Sequence, residues 1–358
     1  METIFHVLLI AAVICLVLFL LATAVGAVFF KMVLVREKSP GDPMNKSHVT
    51  PEELERWRKA VREGNDWVAS HKTQEVNIAS HDGLSLHGLL VPAEGGMEHS
   101  RKFLLAIHGY RSGPMREYYY MLPFYHSLGY HVLMPDDRAH GKSEGKYIGF
   151  GWLDRLDCIA WANYIIDTYG ADCEIVLQGI SMGAATVMNA SGEPLPPQVK
   201  GIIEDCGFST AKGVFAHEAK LRYKLPAWPL IPAASMVCGL VAGYRFAQDE
   251  PVRQIQKAKV PFLFIHGSRD DFVPTLMVHE VYDACPTRKT KLIVEGAAHA
   301  MAYLEDREGY EKAVKAFLES VTASATLSFL PLLPLLKELQ LRIPVADPAR
   351  PHDILHLI

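Results

Sequence analysis

Gly179-Ile180-Ser181-Met182-Gly183 decides how this sequence is read. The five residues follow the apolar run 174–177 and precede the small, helix-compatible run 184–189, so they fall where a strand turns sharply into a helix. Glycines two positions before and two after the serine relieve the crowding of such a turn, and the serine at its apex presents its hydroxyl outward. Strand, Gly-x-Ser-x-Gly and helix together form the setting of a serine nucleophile. The competing reading is a tight structural turn with an idle serine.

A serine hydroxyl is a weak nucleophile until a base takes its proton, and the base needs a carboxylate to hold its tautomer. The chain offers both after Ser181. The stretch Ile265-His266-Gly267-Ser268-Arg269-Asp270-Asp271-Phe272-Val273-Pro274 follows the apolar run 261–265, and either Asp270 or Asp271 suits the orienting role. Aspartate is also a common turn residue, which is the plain alternative. Gly296-Ala297-Ala298-His299-Ala300 follows the run 291–294, which places His299 on the next loop. Most of the 16 histidines are expected to be structural or at the surface. Chain order singles out His299, because Ser181, then an Asp of 270–271, then His299 is one of the known triad orders. Two backbone N–H groups are placed to receive a developing oxyanion. One is Met182, at the positive start of a helix; the other is Tyr110, after His108-Gly109 at the end of the run 103–107.

Around these segments strands and helices alternate. Two runs, 75–80 and 84–91, meet at His81-Asp82-Gly83 as a hairpin, and further apolar runs recur at 103–107, 131–134, 174–177, 201–203, 261–265 and 291–294. Helical patterns at 153–169, 277–284 and 307–321 separate several of them. This rhythm predicts a mostly parallel sheet with helices on both faces, whose strand carboxyl ends gather the unusual residues.

With those motifs in view, the chain resembles the α/β-hydrolase superfamily over residues 74–320. Pro135-Asp136-Asp137-Arg138-Ala139-His140-Gly141-Lys142-Ser143 is similar to the family's D-x-R-G-H-G-x-S loop, with Ala139 where a glycine is usual. The combination of GISMG, IHGSRDDFVP and GAAHA most resembles bacterial membrane-anchored serine hydrolases of the serine-aminopeptidase-like and cinnamoyl-esterase-like branches. The resemblance implies Asp270 rather than Asp271 as the orienting carboxylate, no metal and no organic cofactor. It also implies a small helical cap in the insertion at about 208–251, rich in apolar and aromatic residues; ordinary helix packing is the alternative.

The first residues are of a different kind. From Val7 to Phe30 there are 24 residues without a charged side chain, long enough to span a bilayer. Glu2 precedes the run with no Lys or Arg, and the run exceeds a signal-peptide core, which favours an uncleaved single-pass anchor at 1–31 over a cleaved leader. Lys31, Arg36 and Lys38 follow it, so the catalytic domain is expected on the cytoplasmic side of the cell membrane. Residues 32–73 form a linker and an amphipathic helix that opens at Thr50-Pro51 with Glu53 as capping partner. The tail, 321–358, lies outside the resemblance; its run Phe329–Leu336 holds Pro331 and Pro334 and is too short for a second span.

Composition excludes some partners. The net charge of -4 is dispersed, with no basic footprint for nucleic acid. Six scattered cysteines suggest neither a disulfide framework nor a zinc site. Gly141-Lys142-Ser143 lacks the earlier glycine of a phosphate loop, and His217-Glu218 and His279-Glu280 lack the second histidine of a zinc protease. Three readings remain. They are an ester hydrolase acting on a small, acyl or aromatic substrate, a serine-aminopeptidase-type peptidase with the same apparatus, and a tethered binding protein on a retired hydrolase fold.

Overall fold

A computed structural model describes residues 2–37 and 49–322. Most of the linker, and the tail beyond Thr322 with its run Phe329–Leu336, lie outside the described residues. Eight strands make one sheet: β1 (Gln74–Ala79), β2 (Ser85–Val91), β3 (Lys102–Ile107), β4 (His131–Pro135), β5 (Glu174–Ile180), β6 (Val199–Asp205), β7 (Phe262–Gly267) and β8 (Lys289–Val294). Their order is β1-β2-β4-β3-β5-β6-β7-β8; β2 is antiparallel to both neighbours and every other pairing is parallel.

The helices are α1 (Glu2–Leu34), α2 (Pro51–Ala69), α3 (Pro114–Glu117), α4 (Leu122–Ser127), α5 (Asp154–Tyr169) and α6 (Met182–Ala190). They continue with α7 (Ala211–Tyr223), α8 (Ala227–Val241), α9 (Pro251–Gln254), α10 (Leu276–Ala284), α11 (Ala302–Glu305) and α12 (Arg307–Thr322). Alternation along the strands divides the core. Leu104, Val132, Val176, Ile203 and Leu263 meet Trp57 of α2 and Tyr310, Val314 and Phe317 of α12 on one face. Their neighbours Phe103, Leu133, Ile175, Ile202 and Phe262 meet Trp161 of α5, Val187 of α6 and Val281 of α10 on the other.

The predicted start of α2 is present in full. The Thr50 hydroxyl accepts the Glu53 N–H at 3.2 Å, and the Glu53 carboxylate accepts the Thr50 N–H at 2.6 Å. Glu53 also pairs with Arg269 and so ties α2 to the loop after β7.

The helix α1 is longer than the charge-free run and serves two environments. All of residues 2–21 are exposed, whereas Gly26, Phe29, Phe30 and Leu34 are buried in a third apolar cluster with Phe150, Phe215, Leu230 and Ile231. Among the described residues α1 is the one helix long and apolar enough to cross a membrane. It packs along α8, and a side chain at Gly26 would collide with the backbone of Ala233 and Ala234.

The loop after β4 is held by a buried arginine. Arg138 grips Asp157 of α5 through two bonds of 2.6 and 2.7 Å and reaches Asp82 of the hairpin at 3.0 Å. The next residue, Ala139, has a φ of 62°, which explains why a glycine suits this position: an L side chain there is strained by about 1–2 kcal/mol. Ala139→Gly should therefore stabilise the protein by about 0.5–1 kcal/mol, once the larger chain entropy of unfolded glycine is set against the relieved strain. A Tm that falls in the variant would show that the neighbours do not hold Ala139 in this conformation.

Candidate active site

Ser181 links the end of β5 to the start of α6, with φ 55° and ψ -113°. Both glycines of the motif are needed by close approach: a Cβ at Gly179 would strike the carbonyl of Gly183, and one at Gly183 would strike the carbonyl of Ile107 in β3. The turn is thus pinned between its own helix and the neighbouring strand.

Three loops at the carboxyl edge of the sheet converge on this serine. His299, after β8, puts Nε2 2.8 Å from Ser181 Oγ and Nδ1 2.7 Å from Asp270 Oδ2. Nδ1–H donates to the carboxylate, so Nε2 is left to accept the serine proton. The other Asp270 oxygen accepts the N–H groups of Phe272 and Val273 at 3.0 and 2.9 Å. The backbone carbonyl of Asp271 faces His217 Nε2 at 2.8 Å. Burial pushes the Asp270 carboxyl up, but the His299 and His266 rings beside it outweigh burial and hold it well below the usual carboxylate range. Cys206, Asp270 and His299 also have ligand atoms within 4.8 Å of one another, yet both His299 nitrogens already serve Asp270 and Ser181.

The loop after β3 lies against Ser181, and three groups shape it. The Gly109 N–H donates to the Glu117 carboxylate at 2.7 Å, and the Arg111 N–H donates to His140 Nε2 at 3.0 Å. Tyr110 lies between them, and its N–H has no acceptor among the described residues. The Met182 N–H sits in the first turn of α6, where a helix provides no acceptor of its own.

His108 and His140 stitch this loop to the one after β4. The Asp137 N–H donates to His108 Nε2 at 3.0 Å, while His108 Nδ1–H donates to the Gly109 carbonyl at 2.8 Å. His140 uses the same tautomer, accepting from Arg111 and donating to the Arg138 carbonyl at 3.0 Å. Burial pushes the two rings down to about 4 and about 3, so they stay neutral and can accept as well as donate.

A pocket of about 320 Å³ opens over Ser181 and His299. The segment 208–251, where a cap is expected, contains α7 and α8, and α7 contributes Val214, Phe215, Glu218 and Arg222 to the pocket. Sequence reading missed two of its walls. One is Glu117 on the four-residue helix α3, half-buried, its carboxyl pushed up to about 7 by desolvation; nothing in Pro114-Met115-Arg116-Glu117 marks it. The other is the end of α1, which supplies Phe29, Met32 and Val33. The Tyr110 hydroxyl donates to the Val33 carbonyl at 2.6 Å, an attachment that no local pattern announces.

No family model matches the chain. It is 28% identical over 304 residues to the uncharacterized protein YqkD of Bacillus subtilis, covering 84% of this chain and 94% of that one. Among solved structures it is similar to the esterase Pf2001 of Pyrococcus furiosus, with a TM-score of 0.59, 24% identity, and coverage of 81% of this chain and 98% of the esterase. It is also similar to the acylaminoacyl peptidase of Pyrococcus horikoshii, with a TM-score of 0.53, 19% identity, and coverage of 72% of this chain and 42% of the peptidase. Sheet order, strand-turn-helix at Ser181 and these likenesses agree, and the chain has the α/β-hydrolase fold.

Proposed function

We propose that this chain is a membrane-anchored serine hydrolase that cleaves a carboxylic ester through an acyl-enzyme. The observation that carries the reading is the hydrogen-bonded line from Asp270 Oδ2 through His299 to Ser181 Oγ, at 2.7 and 2.8 Å. In this mechanism Ser181 Oγ attacks the ester carbonyl carbon as its proton passes to His299 Nε2. The carbonyl oxygen becomes an oxyanion, received by the N–H groups of Tyr110 and Met182. His299 returns the proton to the departing alkoxide. Water then attacks the acyl-enzyme with His299 again as base, releasing the acid and restoring Ser181. Asp270 stays ionised throughout and stabilises the imidazolium.

A peptidase would use the same steps and would need a carboxylate to read the substrate amine. The pocket carboxylates are already engaged: Glu37 pairs with Arg111 at 2.6 Å, Glu218 with Arg222, and Glu117 accepts the Gly109 N–H. That engagement supports the ester reading. Glu117, as the acceptor for Gly109, positions the loop that presents the Tyr110 N–H.

Fluorophosphonate should label the wild type and fail to label Ser181→Ala, whose circular dichroism should stay unchanged. Turnover of p-nitrophenyl acetate should fall on the order of 10⁴–10⁶-fold. A folded wild type that takes no label and shows no turnover would point to a binding protein, and faster cleavage of aminoacyl amides than of esters would point to a peptidase. Asp270→Asn should lower kcat by about 10⁴-fold through the wrong His299 tautomer, while Asp271→Asn stays within about twofold of wild type; the reverse ranking would move the role to Asp271.

Glu117 gives a pH signature. Its carboxyl is raised from 4.5 to about 7, so the folded chain holds a proton that the unfolded chain has lost, and stability falls as pH rises through that window. Glu117→Gln removes this contribution while keeping an acceptor for Gly109. The Tm of the variant minus that of the wild type should grow from pH 4.5 to about 7 and level off above. A difference independent of pH would show that Glu117 titrates normally.

A further inference from the structure

The exposed part of α1, residues 2–21, is 20 residues long. At a rise of ~1.5 Å per residue it spans about 30 Å, the thickness of a hydrocarbon core. The helix then continues unbroken into the folded domain. Phe29 packs edge-on against Phe215 of the cap, with ring centroids 6.1 Å apart, and Leu34 is fully buried. Phe29, Met32 and Val33 line the same pocket as Ser181 and His299. Phe29 is buried inside it, whereas Met32 is 42% exposed. The wall therefore begins eight residues past the exposed segment, about 12 Å from the hydrocarbon edge. One acyl chain can bridge that distance with its far end still among the lipid tails.

Other features agree with a site that faces the bilayer surface. The helix α8, packed along α1, leaves large apolar side chains exposed at its two ends, Trp228 78% and Leu240 79%, of which the tryptophan is of a type suited to the membrane–water interface. The pocket, about 320 Å³, is near the lower end of the ~300–1,000 Å³ range of ligand sites, so it has room for one chain rather than two. Its apolar residues include Phe29, Val33, Val214 and Phe215, while Arg111 and Glu37 pair near the end of the anchor. The polar end of an amphiphile meets charge and its tail meets hydrocarbon.

We infer that the substrate is a single-chain acyl ester dissolved in the bilayer, which reaches Ser181 along Phe29 and Met32 instead of from bulk water. This rests on the hydrolase reading and narrows its substrate class. It also gives the anchor a second role as a wall of the binding site.

The test uses the full chain in phosphatidylcholine vesicles with two esters of one leaving group, p-nitrophenyl acetate from the buffer and p-nitrophenyl dodecanoate in the bilayer. Dodecanoate turnover should follow its mole fraction in the lipid, falling when more lipid is added at constant total ester. Met32→Trp, which narrows the entry, should lower the dodecanoate-to-acetate ratio of kcat/KM by about tenfold, the worth of roughly two buried methylenes. Turnover that ignores added lipid would overturn the inference and leave the hydrolase reading standing, as would equal losses for both esters in Met32→Trp. Rates that survive Ser181→Ala would sink the hydrolase reading and the inference with it. An arm without a variant presents p-nitrophenyl hexadecanoate, which leaves a bilayer slowly, either in the vesicles that hold the enzyme or in separate enzyme-free vesicles: faster initial turnover from the shared bilayer supports the inference, and equal rates overturn it even where Met32→Trp fails to fold.

Discussion

The strained turn at Ser181 constrains what surrounds it. A residue with a side chain at φ 55° is held there only if its neighbours leave no alternative, and here they do so by proximity. Gly183 lies against the carbonyl of Ile107, which brings the end of β3 and the start of α6 to backbone contact. The same contact brings the Tyr110 loop beside the serine. A Cβ built on Gly109 would lie 3.3 Å from Ser181 Cβ. The Ser181 turn, helix start and loop are consequences of one packing event at the centre of the sheet. Parallel pairing of β3, β5, β6, β7 and β8 then delivers the Asp270 and His299 loops to the same edge, because parallel strands all end on one side.

Such an edge concentrates buried charge, and the molecule meets the cost in two ways. Some carboxyls lie where burial favours the neutral form: Asp205 is pushed up to about 6, and Glu204 and Asp137 are raised as well. Others are paired, as Asp157 is with Arg138. Asp270 belongs to the second kind, with two histidine rings and two backbone N–H groups around its oxygens. The contrast with nearby Glu117 is informative. Asp270, buried, touches the His299 ring and is held low, while half-buried Glu117 is raised by desolvation in spite of the Gly109 N–H that it accepts. The two carboxyls thus differ by the charge of their partners, two imidazole rings beside Asp270 and an uncharged N–H at Glu117.

Legibility in the sequence follows the range of the interaction. Strands β2 to β7 were legible because a strand buried on both faces is a short apolar run whatever it pairs with, while β1, mostly exposed, was legible through the hairpin turn at 81–83, and β8 through the short run 291–294. The α2 start was legible because a capping box is contained in four residues. Ser181, Asp270 and His299 could be singled out through local motifs and their order along the chain, and the structure brings those three together. Two features were not legible. Glu117 acts through a hydrogen bond to Gly109 that exists only once α3 has folded back on the β3 loop, and a lone Glu beside an Arg looks like any surface turn. Ala139 was visible as a departure from the glycine usual in this loop, but its strain needed a φ value.

The helix α1 illustrates a deeper limit. Lipid tails and a protein core are both apolar solvents, so a helix passing from one to the other shows no change of character in its sequence, and 7–30 read as a single span. Only small residues mark the crossing. Gly26 is the point where α1 approaches the Ala233 and Ala234 backbone too closely for any side chain, and a few residues later Arg111 and Tyr110 bond the Met32 and Val33 carbonyls. Those carbonyls lie in the last turn of α1, where a helix has none of its own donors left to satisfy them. The end of α1 is therefore capped by side chains of the loop that carries the Tyr110 N–H. A tilt of α1 against the sheet would be felt directly in that loop, because the cap and the candidate oxyanion donor share one short segment of chain.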